Sequence, residues 1–380
     1  APAVMITGSH IPFERNGIKF FRADGEMLKQ DETPVVASTA PFPVELLRDP
    51  ALQARRATSL PLLPTAGADA ETNWMNRYLP AFDGLLTGLR IGHYQHSAAG
   101  RDLLSTLLQR LGADVIALGR SDLFIPIDTE AVTAADTAQA KDWAKAFSFD
   151  AIISTDGDGD RPLLGDENGH YIRGDALGIL AAYCLKATTV VTPVSSTSAV
   201  DQSQWFDTVV RTKIGSPQVI AAMQQAAATA DAANEGARIV GFEPNGGFLT
   251  SSWLSSPWNE TALAPLPTRD SVLPILAVLA LSRQRAVPLS QITALLPKRV
   301  TASDRVEHTP DDISRALVER LRTEPEFARG LAPGEPAILH VRPSGNAPEL
   351  RIYVESDSTD AAHHLQAHAR QVVKRLIGAV

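Results

Sequence analysis

Residues 2–7, PAVMIT, are a short apolar run ending in the small polar turn TGSH, and read as a buried strand feeding a loop. Further along the pattern alternates. Apolar runs at 89–94, 114–119 and 150–155 predict strands, and leucines and alanines at helical spacing over 99–113 and 140–148 predict amphipathic helices between them. The theme repeats with a helix at 176–187, strands at 189–193, 207–212 and 237–242, a helix at 217–229 and another at 269–284 starting near Asp270. Strands alternating with helices predict α/β layers with a largely parallel sheet. The C-terminal stretch reads differently: a helix at 311–323, two strands at 338–343 and 349–356 around a turn, and a closing amphipathic helix from 359, which together make an α+β unit.

Composition narrows the class. A chain of 380 residues predicts two to four domains, and the Pro- and Ala-rich stretch 59–70 is the candidate linker. A formal charge of −8 argues against nucleic acid and anionic membrane as main partners. No apolar run approaches the length of a membrane span, and no secretory leader pattern is visible at the start. The single cysteine, Cys184, sits in an apolar stretch and reads as a small buried hydrophobe, so a cytoplasmic setting is expected.

Four loops carry candidate chemistry. Asp156, Asp158 and Asp160 alternate with glycines directly after the apolar run 150–155, at the carboxyl end of a strand. Oxygen-only ligands at that spacing suit a hard cation, Mg²⁺ or Ca²⁺. An EF-hand would place Glu167 at its twelfth position, but its sixth, which must be glycine, is Arg161. In the stretch 7–21, Ser9 is a candidate nucleophile, with His10 or Lys19 to manage its proton or the charge of a phosphoryl group. Arg342, Ser344, Gly345, Asn346 and Arg351 lie in or beside a tight loop between two strands, where a guanidinium fork, a hydroxyl and backbone amides can wrap a phosphate. Glu243 and Asn245, at another strand end, offer an acceptor and an amide for vicinal sugar hydroxyls.

In this order the four loops resemble those of the α-D-phosphohexomutase family, which includes bacterial phosphomannomutases and phosphoglucomutases. The resemblance covers essentially the whole chain. It implies that Ser9 carries a phosphoryl group, that Lys19 is its proton-transfer partner, and that Asp156, Asp158 and Asp160 bind Mg²⁺ with Arg161 near the phosphoserine. It also implies that Glu243 and Asn245 face the sugar and that the loop 342–351 holds its phosphate. Lys213 lies in the stretch RTKIG, which resembles a further active-site loop of the family. The chain departs from residues common in the family at Ile11, Ser216, Asn245 and Gly247.

The implied architecture is three mixed α/β domains and a C-terminal α+β domain: residues 1–72, 73–173, 174–292 and 293–380. The first is expected to be incomplete, because the family carries more chain ahead of the serine loop. That shortfall should leave apolar surface uncovered around PAVMIT. The implied reaction interconverts hexose 1-phosphate and hexose 6-phosphate through a hexose 1,6-bisphosphate, with mannose preferred and glucose next. Sugar phosphates are the expected partners, and a monomer or weak dimer the expected state. Two rival readings are a phosphosugar-binding protein without turnover and a Ca²⁺-binding interaction module.

Overall fold

A computed structural model describes residues 2–9, 16–38, 68–232, 236–332, 337–343 and 349–378. His10, Ser344, Gly345 and Asn346 lie outside the described residues, as does most of the stretch 59–70. Its end, residues 68–70, begins helix α1 (Ala68–Phe82) rather than continuing a linker.

Two sheets of like topology form the centre. The first runs β5 (Asp114–Leu118), β4 (Arg90–Tyr94), β6 (Ala151–Thr155), β7 (Pro162–Gly165), β8 (Tyr171–Ile172). The second runs β10 (Thr208–Thr212), β9 (Thr189–Pro193), β11 (Ile239–Phe242), β12 (Phe248–Thr250), β15 (Leu266–Asp270). In each, the first three neighbours are parallel and the last two are antiparallel additions, so the sheets are mixed rather than largely parallel. Helices α2 (Arg101–Arg110) and α3 (Ala134–Phe147) make the crossovers of the first sheet. A two-stranded ribbon, β13 (Leu254–Ser255) and β14 (Ala262–Leu263), lies outside both sheets.

One apolar cluster runs through both sheets, from Met75 in α1 to Ile292. Its middle is α4 (Gly174–Cys184) packed on α6 (Val272–Arg285), two helices that are apolar nearly all round and buried accordingly. Cys184 is buried there, its thiol pushed up to about 12 by burial, which makes it inert at neutral pH. A third helix, α5 (Ser216–Ala232), covers the other face of the second sheet.

The C-terminal unit has its own core. Strands β16 (Val300–Glu307), β18 (Glu349–Ser356) and β17 (Ile338–Pro343) form an antiparallel sheet backed by α7 (Asp311–Thr323) and α8 (Thr359–Gly378). Glu355 ties this unit to the second sheet's side. Its carboxylate accepts from the Ser198 backbone N–H and hydroxyl and from Arg299 Nε at 2.6 Å.

The front of the chain is a small antiparallel sheet, β1 (Ala3–Thr7), β2 (Gly17–Arg22) and β3 (Gly25–Glu26). The expectation of a buried first strand fails: Val4 and Ile6 are 59% and 62% exposed, because β1 pairs only with β2 among the described residues. Ile18 and Phe20 on β2 are exposed as well. The helix expected from 269 begins at Val272, since Arg269 and Asp270 end strand β15. The carboxylate of Asp270 then accepts the N–H groups of Val272 and Leu273, which caps α6. No helix among the described residues is long and apolar enough to cross a membrane.

Candidate active site

The acidic loop leaves β6 where the first sheet switches from parallel to antiparallel pairing, and the Glu243 loop leaves β11 at the equivalent point of the second sheet. Both lie at carboxyl ends of parallel strands, the usual ligand-binding edge of such sheets.

Within the acidic loop, Asp156 is fully buried and organises its neighbours. Its Oδ1 accepts the backbone N–H groups of Asp160 and Arg161, both at 3.1 Å, and Gly159 makes the turn with φ near +79°. Asp156, Asp158 and Asp160 bring one carboxylate oxygen each to within 4.8 Å of one another. Oδ1 of Asp158 and Oδ1 of Asp160 are buried without a hydrogen-bond partner among the described residues. Two orphaned carboxylate oxygens beside a third fit a hard dication such as Mg²⁺. The Ca²⁺-loop alternative fails on a further point: the Glu167 carboxylate is turned away to accept from the Ser290 hydroxyl and N–H.

Burial, and then the charges of Asp160 and Asp158, push the Asp156 carboxyl upward. Burial works the same way on Asp158, but hydrogen bonds to Lys19, Asp156 and Ser9 and the charge of Lys19 together outweigh it, and the net shift is downward.

Ser9 arrives from the opposite side. Its Oγ donates to Asp156 Oδ2 at 2.6 Å, and its own N–H donates to Thr7 Oγ1 at 2.8 Å. The Thr7 hydroxyl in turn donates to Asp158 Oδ2. Ser9 takes a left-handed backbone, φ near +52°, and is buried. Gly157 is required beneath it, since a Cβ there would stand 2.6 Å from the Ser9 carbonyl oxygen.

Three cations compensate the loop. Lys19 Nζ bonds Asp158 Oδ2 at 2.5 Å and Asp160 Oδ2 at 3.0 Å. Burial would lower the lysine's pKa, but Asp160 and Asp158 overcome it and hold the ammonium above its ordinary value. Arg161 Nε lies 3.8 Å from Asp156 and 3.7 Å from Asp160. Arg269, at the end of β15, donates to Asp160 Oδ2 at 3.1 Å. The three cations thus face the three aspartates of the loop, and Arg269 is shared with a fourth carboxylate, Glu243.

The remaining expected residues fall in two groups. The Glu243 carboxylate accepts from Arg269 Nε at 2.8 Å, while Asn245 Oδ1 accepts the Gly247 N–H, so that amide oxygen shapes its own turn. Lys213 is exposed after β10; its carbonyl accepts from the Thr212 hydroxyl at 2.8 Å, and its ammonium makes no ion pair among the described residues. On the C-terminal sheet, Arg342 and Arg351 stand directly opposite across β17 and β18, with Arg305 opposite Arg351 on β16. A row of like charges across strands is unfavourable unless anions lie beside it. Glu349 takes Arg351 Nε at 2.9 Å, and Arg342 leans over the Tyr353 ring and donates to its hydroxyl at 3.1 Å. Arg342 Nε is buried without a partner among the described residues.

A cleft between the first sheet's side and the C-terminal sheet is lined by Asp128, Glu130, Arg305, Arg351 and Tyr353. Burial raises the Glu130 carboxyl, opposed by Arg173. Neither Glu130 nor Arg269 carries a local sequence signal; each stands out only through contacts distant in the chain.

Comparison with known proteins bears on all of this. The model of phosphoglucomutase/phosphomannomutase, alpha/beta/alpha domain III, matches residues 173–300. That of the C-terminal domain matches 297–372, and that of alpha/beta/alpha domain I matches 1–40. A phosphomannomutase of Sinorhizobium fredii is 42% identical over 98% of this chain and 80% of its own length. One of Salmonella muenchen is 41% identical over 99% and 78%. Among solved structures, Aspergillus fumigatus N-acetylphosphoglucosamine mutase, in complex with GlcNAc-6P and magnesium, superposes with a TM-score of 0.68 at 17% identity, covering 99% of this chain and 89% of that one.

Proposed function

The chain belongs to the α-D-phosphohexomutase family and is a mutase of the isomerase class, and we propose that it interconverts mannose 1-phosphate and mannose 6-phosphate through phosphorylated Ser9. The observation that carries this reading is the Ser9 hydroxyl, 2.6 Å from Asp156 at the mouth of the three-aspartate loop. The two phosphomannomutases above 40% identity favour mannose over glucose.

In this reading the phosphoryl group leaves Ser9 Oγ for the free hydroxyl of the bound hexose monophosphate. The bisphosphate turns over in the cleft, and the phosphoryl group at its other end returns to Ser9. Such transfers need positioning and charge neutralisation more than covalent machinery. Asp156, Asp158 and Asp160 would hold Mg²⁺, which supplies positive charge to the phosphoryl oxygens when bound. Asp156 Oδ2 orients the hydroxyl of unphosphorylated Ser9 for the return transfer. Lys19, kept protonated by its two aspartates, and Arg161 add charge at the same place. Glu243 and Asn245 hold the sugar, and the Arg342–Arg351 region with Lys213 holds whichever phosphate is not reacting.

The test is a ³¹P NMR time course with mannose 1-phosphate, Mg²⁺ and a trace of glucose 1,6-bisphosphate, and glucose 1-phosphate run in parallel. The 6-phosphate should appear, faster from mannose, and Ser9→Ala should suppress it at least about 10³-fold. Turnover that survives Ser9→Ala removes the nucleophile assignment. Binding of both sugars without conversion favours the phosphosugar-binding alternative.

A further inference from the structure

Arg269 belongs to two loops at once. From the end of β15 its guanidinium reaches Glu243 Oε2 through Nε at 2.8 Å and Asp160 Oδ2 through Nη1 at 3.1 Å. Among the described residues the Glu243 carboxylate hydrogen-bonds to no other side chain. The arginine is 14% exposed, and its stem fills the space over Gly247, where a Cβ would stand 2.6 Å from Arg269 Cδ. Its own backbone N–H and the hydroxyl of Thr268 are anchored on Glu26 of the front sheet. The guanidinium therefore cannot swing away from one carboxylate without its stem leaving Gly247.

We propose that Arg269 is a positioning residue that couples divalent-cation binding on the 156–160 loop to sugar binding at Glu243. The proposal rests on the functional reading above for the roles of Asp160 and Glu243. Its physical basis is competition. One guanidinium is shared by two carboxylates that each have a second ligand to receive. A dication on Asp160 takes up much of that carboxylate's charge and, with the guanidinium staying in place, leaves more of its attraction to Glu243. The Glu243 carboxylate is then fixed in one orientation before the sugar arrives, so less freedom is lost on binding. By linkage the effect is reciprocal: bound sugar tightens the metal as much as bound metal tightens the sugar.

The experiment is calorimetric titration of mannose 1-phosphate in Mg²⁺ and in EDTA, using Ser9→Ala protein to silence turnover, with Arg269 intact or changed to Lys or Met. Inorganic phosphate is titrated in the same way, to isolate any direct contact between metal and phosphate. With Arg269 intact, Mg²⁺ should tighten the sugar phosphate by about tenfold beyond its effect on inorganic phosphate. Arg269→Met should shrink that excess below about twofold, and Arg269→Lys should restore part of it, while the Mg²⁺ effect on inorganic phosphate stays the same in all three. An excess that persists in Arg269→Met overturns the proposal. So does a loss that extends equally to inorganic phosphate, because that is general damage to the metal loop. Failure of the Arg269-intact protein to bind mannose 1-phosphate in either condition overturns the functional reading itself. Glu243→Gln, which should weaken the sugar phosphate and spare inorganic phosphate, tells that failure apart from a failure of the coupling alone.

Discussion

Strands β1 and β6 meet at the same chemistry from opposite environments. Val4 and Ile6 of β1 are mostly exposed, whereas Ile152 and Ile153 of β6 are fully buried, yet β1 delivers Ser9 and β6 delivers Asp156. The aspartate is placed by a packed sheet and by backbone N–H groups. The serine is placed by a few polar contacts, to Thr7, Asp156 and the backbone over Gly157. Rigidity on one side of a reacting pair can thus be lent to the other through hydrogen bonds.

The strongest way to sharpen this contrast is a matched truncation. Leu276→Ala in α6, at a fully buried position, should cost about 3 kcal/mol of unfolding free energy in a denaturant titration. Next in size, Gly157→Ala should lower kcat by about 10²-fold while leaving the unfolding midpoint nearly unchanged, because the added methyl displaces the Ser9 backbone rather than the core. A full-rate Gly157→Ala enzyme would mean that the serine loop is not seated there.

Acid probes the buried side. His93 in β4 is lowered to about 4, first by burial and then by His96 nearby, and its Nδ1 lies 2.7 Å from Ser105 Oγ. A histidine kept neutral in the fold but free to protonate when unfolded contributes stability above its ordinary value that is lost as pH falls from about 6.5 toward 4. Unfolding free energy should therefore drop by about 2 kcal/mol between pH 7 and pH 5 on account of His93, and His93→Gln should remove that part of the slope. The smallest effect belongs to the front: Ile6→Ala should change stability by less than about 0.5 kcal/mol. A loss as large as that of Leu276→Ala would end the contrast, since it would mean that β1 is packed in solution.

The acidic loop was legible in sequence because its chemistry is local: three aspartates, the turn glycine and the arginine all lie within six consecutive positions. The two central sheets were legible through apolar runs at strand length. The first strand's exposure was not, because an apolar run states what a strand would bury and not whether anything lies against it. Strand β16 carries too many polar residues for alternation to mark it. Arg269 escaped notice because its partners are 26 and 109 positions away, and a charged residue before an apolar stretch looks like a helix entry. The turn role of Asn245 is a matter of side-chain rotation, on which residue type is silent.

The single apolar cluster shared by the two central sheets has a mechanical consequence. The acidic loop and the Glu243 loop leave sheets that share this one cluster, with α4 packed on α6 at its middle. The C-terminal sheet has a separate core and is fastened to the second sheet's side by polar contacts such as those of Glu355. In the proposed reading, a jaw movement that admits a sugar phosphate would fall to that outer part, and the spacing between the acidic loop and Glu243 would stay fixed.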